Sequence, residues 1–367
     1  MKIGIDARFV GPQGTGLGKY TEKLIENLAK IDKKNQYLVF LRKDNWDYQK
    51  LPNNFKKVLA DIPWYSLAEQ TKLPKIFESQ SLDLLHIPHF NTPIFYKGKF
   101  IVTIHDLIHH QFSESSSTTR NPIIFNLKRI GYRKIISHAI NKSQKIIVPS
   151  NFVKEEIIRN FKINHQKIIV TYEAAEEEYF SQHPSSNIHH PFLIYVGNAY
   201  PHKNLPRLLD AFKILTTNYQ LPTTNLIIVC PRDVFAERLQ DEIRSRNLEN
   251  RVELKGYLSP QELAKLFQRA SAYVFPSLSE GFGIPGLNAM ASSLPVVCSN
   301  SPTLKEIYGD AALYFNPHDP KDIAQKIHQI ISDDKIRLDL VKKGRAQVPK
   351  YSWRQMAQET LEVYKSI

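Results

Sequence analysis

Three groups of polar residues in this chain have types and spacings that could do chemistry. The first centres on Glu280. It follows the apolar run Ala272–Phe275 and Pro276, and it precedes Gly281, Phe282 and Gly283. Pro285 then opens a short helix, since its missing N–H costs nothing at the first helical position. A second apolar run, Pro295–Cys298, follows. A helix start presents unpaired N–H groups and a partial positive charge, which together bind phosphate. Glycine lets the backbone come close to such a ligand. Glu280 is anionic and suits hydroxyl groups instead. The unit therefore fits a phosphate joined to a polyol, such as a nucleotide sugar. A plain Gly-rich turn with a solvated glutamate is the competing reading.

The second group is Asn198-Ala199-Tyr200-Pro201-His202-Lys203-Asn204, which follows the apolar strand FLIYVG ending at Gly197. A cation before a helix start is electrostatically misplaced unless an anion joins it, so Lys203 suits phosphate. A surface lysine is the alternative. The third group is His105-Asp106, at the end of the strand FIVTI and followed by His109 and His110. Ligands of open α/β sheets bind at such strand ends. Equally, Asp106 caps the next turn and His105 packs in the core.

The string SLSEGFGIPGLNAMASSLPVV, residues 277–297, resembles the signature of retaining glycosyltransferases of family 4, the mannosyltransferase-like group 1 enzymes. Glu280 matches the first glutamate of that signature. Asn288 stands where the second is usual, and Ser293 where glycine is common. Thr103-Ile104-His105-Asp106-Leu107 and the Gly-x-x-x-Pro-x-Lys-Asn pattern of Gly197–Asn204 are also similar to family strings. The resemblance implies the GT-B fold, an α/β architecture of two Rossmann-like domains facing across a cleft. It assigns catalytic roles to Glu280 (orienting the donor sugar), His105 (contacting that sugar) and Lys203 (on the diphosphate). It assigns donor binding to Gly16, Gly18, Gly197, Asn198, His202, Gly256, Tyr257, Phe282, Gly283, Ile284 and Asn288. Gly256 and Tyr257 would meet the nucleobase through their backbone, and Asn288 the ribose. His202 stands where the family often has arginine, which thins the cationic clamp.

By the same resemblance the leaving phosphate acts as base, and neither metal nor cofactor is required. The donor is a nucleoside-diphosphate sugar, with mannose and guanosine diphosphate preferred. The acceptor is a glycan or lipid-linked hydroxyl. The rival readings are a sugar-nucleotide epimerase of the same fold and a nucleotide-sugar binding protein without transferase activity.

Composition narrows the class. A chain of 367 residues exceeds what one core usually serves. The formal net charge is +13, and most of the excess lies before Ser185. It is spread rather than blocked, and no nucleic-acid motif accompanies it, so nucleic acid is not an expected partner. Peripheral contact with an anionic membrane stays open, through the basic helix Asn126–Ile140. The two cysteines, Cys230 and Cys298, sit in apolar strands and read as core residues of a reducing compartment. With neither an apolar run of spanning length nor a signal-peptide core, the expected location is cytoplasmic, or peripheral at the inner membrane face.

Strands alternate with helices along the chain, which implies parallel sheets. We expect a loop over Ala7–Gly18 and a helix over Lys19–Lys30. Strands are expected at 37–41, 82–87, 100–104, 145–149 and 167–171, with a helix from Phe152 capped by Ser150. Gln111–Arg120 reads as a polar loop. Glu176–Phe180 and Pro184–Asn187 read as a linker. Residues 1–185 then form an acceptor-side domain and 186–351 a donor-binding domain, with the helix 352–367 crossing back to the first.

Overall fold

The computed structural model describes residues 1–11, 15–47, 51–108, 122–180, 192–219 and 224–367. Gly14, His109, His110, the expected loop Gln111–Arg120 and the Pro184–Asn187 part of the linker lie outside the described residues. The chain divides into two compact units, Met1–Glu173 with Ser352–Ile367, and Ala174–Tyr351. The division falls before the expected Ser185. The reason is Tyr179, which is buried and packs on Phe267 of the second unit with ring centroids 5.5 Å apart. Glu176–Phe180 is therefore not a linker; it contains a 3-10 turn, Glu177–Tyr179, anchored in the second unit.

In the first unit the elements run β1 (Lys2–Asp6), α1 (Thr15–Ile31), β2 (Gln36–Leu41), β3 (Phe55–Leu59), α2 (Leu67–Thr71), α3 (Leu73–Glu78), β4 (Leu84–Ile87), β5 (Phe100–Thr103), α4 (Pro122–Lys142), β6 (Ile146–Val148), α5 (Asn151–Phe161) and β7 (Ile168–Val170). The strands form one sheet in the order β3-β2-β1-β4-β5-β6-β7, and the pairings are parallel. The apolar runs of β1, β2, β4, β5 and β6 are buried on both faces, as parallel sheets require. Ser150 caps α5 by accepting from the Val153 N–H. The helical stretch before Glu78 is two short helices, because Pro74 has no N–H to continue the first.

The second unit runs β8 (Phe192–Val196), α6 (Leu205–Asn218), β9 (Asn225–Val229), α7 (Val234–Ser245), β10 (Val252–Lys255), α8 (Pro260–Arg269), β11 (Ala272–Phe275), α9 (Ile284–Ala291), β12 (Val296–Ser299), α10 (Pro302–Tyr308), β13 (Ala312–Phe315), α11 (Pro320–Ser332) and α12 (Asp334–Gln347). Its parallel sheet has the order β10-β9-β8-β11-β12-β13. This is a Rossmann-like order, with the switch point between β8 and β11. Cys230 and Cys298 are free and buried. Among the described residues no helix is long and apolar enough to cross a membrane.

The final helix, Trp353–Lys365, belongs to the first unit and packs on α1. Its Tyr364 hydroxyl lies 2.6 Å from Nδ1 of the fully buried His86, whose Nε2 lies 2.8 Å from Thr103 Oγ1. Burial, reinforced by His105, pushes His86 down to about 3. An unfolded chain binds a proton there below the usual value of about 6.5, so stability falls as pH drops from 6.5 towards 3. Between pH 7 and 5 the loss is about 2 kcal/mol. Urea unfolding of the wild type should show this slope, and that of His86→Gln should be flatter by about this amount, with the smaller contribution of His138, also pushed down by burial, remaining. Equal slopes in both proteins would refute the assignment.

Candidate active site

Strand order brings the loops after β8 and β11 to one crevice in the second unit. The loop after β8 turns at Gly197, whose φ of +151° is a glycine conformation. A Cβ there would lie 2.7 Å from the Tyr195 hydroxyl, which donates to the Asn198 carbonyl at 2.8 Å. Asn198 in turn accepts from the Tyr200 N–H through its side chain. A 3-10 turn, Pro201–Lys203, follows, and Asn204 then takes a left-handed conformation at φ 60°. The Asn204 amide donates to the Pro276 carbonyl at 3.1 Å and the Pro317 carbonyl at 2.8 Å. The Leu278 N–H donates to the His202 carbonyl at 2.8 Å. The two loops are thereby stitched together.

That stitching places Lys203 Nζ 2.7 Å from Glu280 Oε1, with side-chain exposures of 13% and 10%. Lys203 also stands over the Phe275 ring at 5.7 Å. The two residues expected to hold phosphate and sugar separately are in contact with each other. An ammonium has three donors and a carboxylate about four acceptor sites. The pair can therefore bind one another and still present polar atoms to a ligand.

Beyond Glu280 the backbone is fixed from below. Thr303 Oγ1 donates to the Glu280 carbonyl at 2.8 Å, and the Tyr308 hydroxyl donates to the Gly283 carbonyl. Burial pushes the Tyr308 hydroxyl well above its usual range, which keeps it a neutral donor. Gly283 has φ +104°, and its absent Cβ makes room for Tyr308 and Leu304. Phe282 is buried edge-on against Tyr351, with centroids 5.6 Å apart, so its side chain serves packing. Ile284 and Pro285 form the half-buried first turn of α9.

Asn288 is 5% exposed and committed within the protein. Its Oδ1 accepts from the Glu176 N–H at 2.9 Å, and its Nδ2 lies 3.4 Å from Glu176 Oε1. The residue expected to meet the ribose thus braces the stretch that enters the second unit. Gly256 and Tyr257 follow β10 and line a cavity of about 520 Å³ together with Arg232. Tyr257 is 75% exposed.

The first unit carries His105 just past β5. Its Nδ1 lies 3.0 Å from Glu173 Oε1 and its Nε2 3.2 Å from the Pro88 carbonyl, and the Tyr20 ring meets it edge-on at 4.6 Å. A carbonyl only accepts, so Nε2 carries a hydrogen when that bond is made. Asp106 accepts from the Ile108 N–H at 2.9 Å and so caps its turn. Gly16 and Gly18 lie in the first turn of α1, which corrects the expected loop over Ala7–Gly18. A Cβ on Gly18 would lie 2.4 Å from the Phe9 carbonyl, whereas one on Gly16 would meet nothing within 4 Å. The close approach at Gly18 is to the protein's own backbone. Sequence reasoning missed Glu173, Glu176 and Arg232. A carboxylate within hydrogen-bond reach of a histidine has no sequence signal when 68 residues separate them.

Two family descriptions match the chain. "Glycosyltransferase Family 4" covers residues 14–178 and "Glycosyl transferases group 1" covers residues 177–347. The chain belongs to the group 1 glycosyl transferases. It is 26% identical over 332 residues to the O-antigen chain mannosyltransferase RfbU of Salmonella typhimurium, covering 88% of each chain. It is 27% identical over 378 residues to O-antigen chain mannosyltransferase B of Escherichia coli, covering 96% of each. Among solved structures it resembles sucrose-phosphate synthase from Thermosynechococcus elongatus with a TM-score of 0.79 and 21% identity, covering 100% of this chain and 98% of that one. The likeness gives the fold as GT-B, built from two Rossmann-like units. This glycosyltransferase is therefore an enzyme of sugar transfer.

Two outcomes follow from the site's packing. Gly18→Ala should destabilise the protein by about 1–3 kcal/mol through overpacking, while Gly16→Ala should be neutral or stabilising by up to ~1 kcal/mol. Thermal unfolding of the two variants checks this, and equal effects would overturn it. Asn288→Glu would set a second carboxylate against Glu176. It should lower the unfolding midpoint, whereas Asn288→Asp, which keeps the acceptor for the Glu176 N–H and adds no bulk, should cost less; a more stable Asn288→Glu would contradict the bracing role.

Proposed function

We propose that this glycosyltransferase moves a hexose, with mannose preferred, from a nucleoside-diphosphate sugar to a hydroxyl of a glycan or lipid-linked acceptor, with retention at the anomeric carbon. The observation that carries the reading is the Lys203–Glu280 pair, 2.7 Å apart at the β8/β11 switch point. The preference for mannose rests on the relatives that are mannosyltransferases.

In this reading the second unit holds the donor and the first serves the acceptor. Lys203 keeps one donor on Glu280 and turns the others to the diphosphate. With the N–H groups at the start of α9, it stabilises charge that grows on the leaving group. Glu280 accepts from the sugar's hydroxyls and orients the ring. The family resemblance assigns His105 to the transferred sugar, with Glu173 holding its imidazole. The bond from the anomeric carbon to the diphosphate oxygen breaks, and the acceptor oxygen joins that carbon on the same face. The acceptor's proton passes to the departing diphosphate. Metal-free transfer belongs to the same reading, as does peripheral contact with anionic lipid through Arg129, Arg133 and Lys134 of α4.

Incubation with a panel of nucleotide sugars and acceptors, followed by NMR of the new glycosidic bond, tests the proposal. Transfer with retained configuration is expected. Donor binding without transfer across the panel would favour a binding protein, and conversion of the donor without any acceptor would favour an epimerase. Lys203→Ala and Glu280→Ala should each lower kcat/KM at least tenfold, about 1.4 kcal/mol. Near-wild-type turnover in either would sink its role.

A further inference from the structure

Helix α9 starts without a capping side chain. Its N-cap is Gly283, which has none to offer. A serine, aspartate or asparagine there would take up N–H groups of the first turn for itself. The turn is held from another helix instead. The Tyr308 hydroxyl, on α10 and fully buried, donates to the Gly283 carbonyl. The Gly286 N–H donates to the same carbonyl at 3.1 Å. Both lone pairs of that oxygen are then used.

The sequence makes room for this arrangement. A Cβ at Gly286 would stand 2.2 Å from the Tyr308 hydroxyl oxygen, and one at Gly283 would stand 2.5 Å from it. Glycine within a helix costs stability relative to alanine. The close approach of the hydroxyl explains why Gly286 sits in α9 all the same. Tyr308 also stands on a fixed base. Gln347 Nε2 at 2.6 Å and the Tyr351 hydroxyl at 2.8 Å both donate to the Ile307 carbonyl. The Tyr314 hydroxyl donates to the Gly309 carbonyl at 2.7 Å.

A peptide unit is planar and trans, so its N–H points opposite to its C=O. A Gly283 carbonyl turned towards α10 therefore aims the Ile284 N–H away from α10. Ile284 is half-buried, and among the described residues its N–H has no partner. Unpaired backbone donors are rare away from water, and a ligand is one way to satisfy them.

We propose that Tyr308 is a positioning residue for sugar transfer. By pinning the Gly283 carbonyl from behind, it aims the Ile284 N–H at the donor's diphosphate. This rests on the donor-site reading above. Calorimetry with ADP, GDP and UDP, and competition by the corresponding nucleosides, tests it on the full chain. Tyr308→Phe keeps the ring and removes the one donor. It should weaken the nucleoside diphosphate that the wild type binds by at least about fivefold, the scale of one hydrogen bond, and leave the matching nucleoside within about twofold. With saturating acceptor it should lower kcat also, since the leaving group loses an oriented donor. 4-Aminophenylalanine at position 308 supplies a donor again and should recover most of the diphosphate affinity. Gly286→Ala, whose methyl pushes the hydroxyl off its carbonyl, should repeat the split between diphosphate and nucleoside if Tyr308→Phe does not fold. A tyrosine that serves packing alone predicts a lower melting temperature with unchanged diphosphate affinity and kcat in the folded protein. That result would overturn the proposal, as would an equal loss for diphosphate and nucleoside. Failure of the wild type to bind any of the three nucleoside diphosphates would overturn the donor-site reading itself.

Discussion

The Asn204 amide is the fastening on which the second unit's site depends. Its two N–H bonds tie the loop after β8 to carbonyls at Pro276, after β11, and Pro317, after β13. Asn204 is 2% exposed, so these bonds work where water does not compete. A left-handed backbone at this position turns the amide inward, and asparagine is among the few residues that take it readily. Lys203 is the residue just before. Its place beside Glu280 is thus decided by the backbone, and the ion pair is a consequence of that fastening.

A pair as sheltered as Lys203–Glu280 is costly to desolvate, and it contributes little to stability by itself. In the proposed reading its value lies in readiness. Each charge is kept in place by the other while the crevice is empty, and each has bonding capacity left over. An anion arriving at Lys203 meets an ammonium that is already oriented. Hydroxyl groups arriving at Glu280 meet a carboxylate whose free oxygen has a fixed direction. Such preorganised polar groups avoid reorganisation when charge shifts during reaction.

Much of this was readable in the sequence, for physical reasons. Buried parallel strands need continuous apolar runs, so FLIYV, AYVF and KIIV announced themselves. β3 did not, because FKKVL sits at the sheet edge and carries the lysines that edges tolerate. β13, at the other edge, is as short as ALYF. α7 was missed although Asp233 caps it through the Phe235 and Ala236 N–H groups. Site residues in contact with a backbone turn were legible as types. Their partners were not, since 77 residues separate Lys203 from Glu280 and 112 separate Glu176 from Asn288. Glycine was ambiguous for the same reason. Only the fold shows that Gly18 makes way for Phe9 rather than for a ligand.

The two units share a strand order around their central strands but differ in what their crevices can hold. In the first, Arg8 is fully buried, with Asp6 at 2.8 Å and Glu69 at 2.7 Å. Its remaining direction is taken by the Ile62 carbonyl at 3.1 Å. Glu69 is itself saturated by Asn91 and the Tyr65 N–H. A cation so enclosed between two carboxylates has nothing to offer a phosphate, and the surplus of negative charge would repel one. In the second unit the corresponding crevice keeps one lysine against one glutamate, with Arg232 left over beyond it. Topology alone would allow either unit to take the nucleotide. In the proposed reading the charges favour the second. The overall basicity of the N-terminal half is no guide here, because Arg8, just past β1, is already neutralised by Asp6 and Glu69.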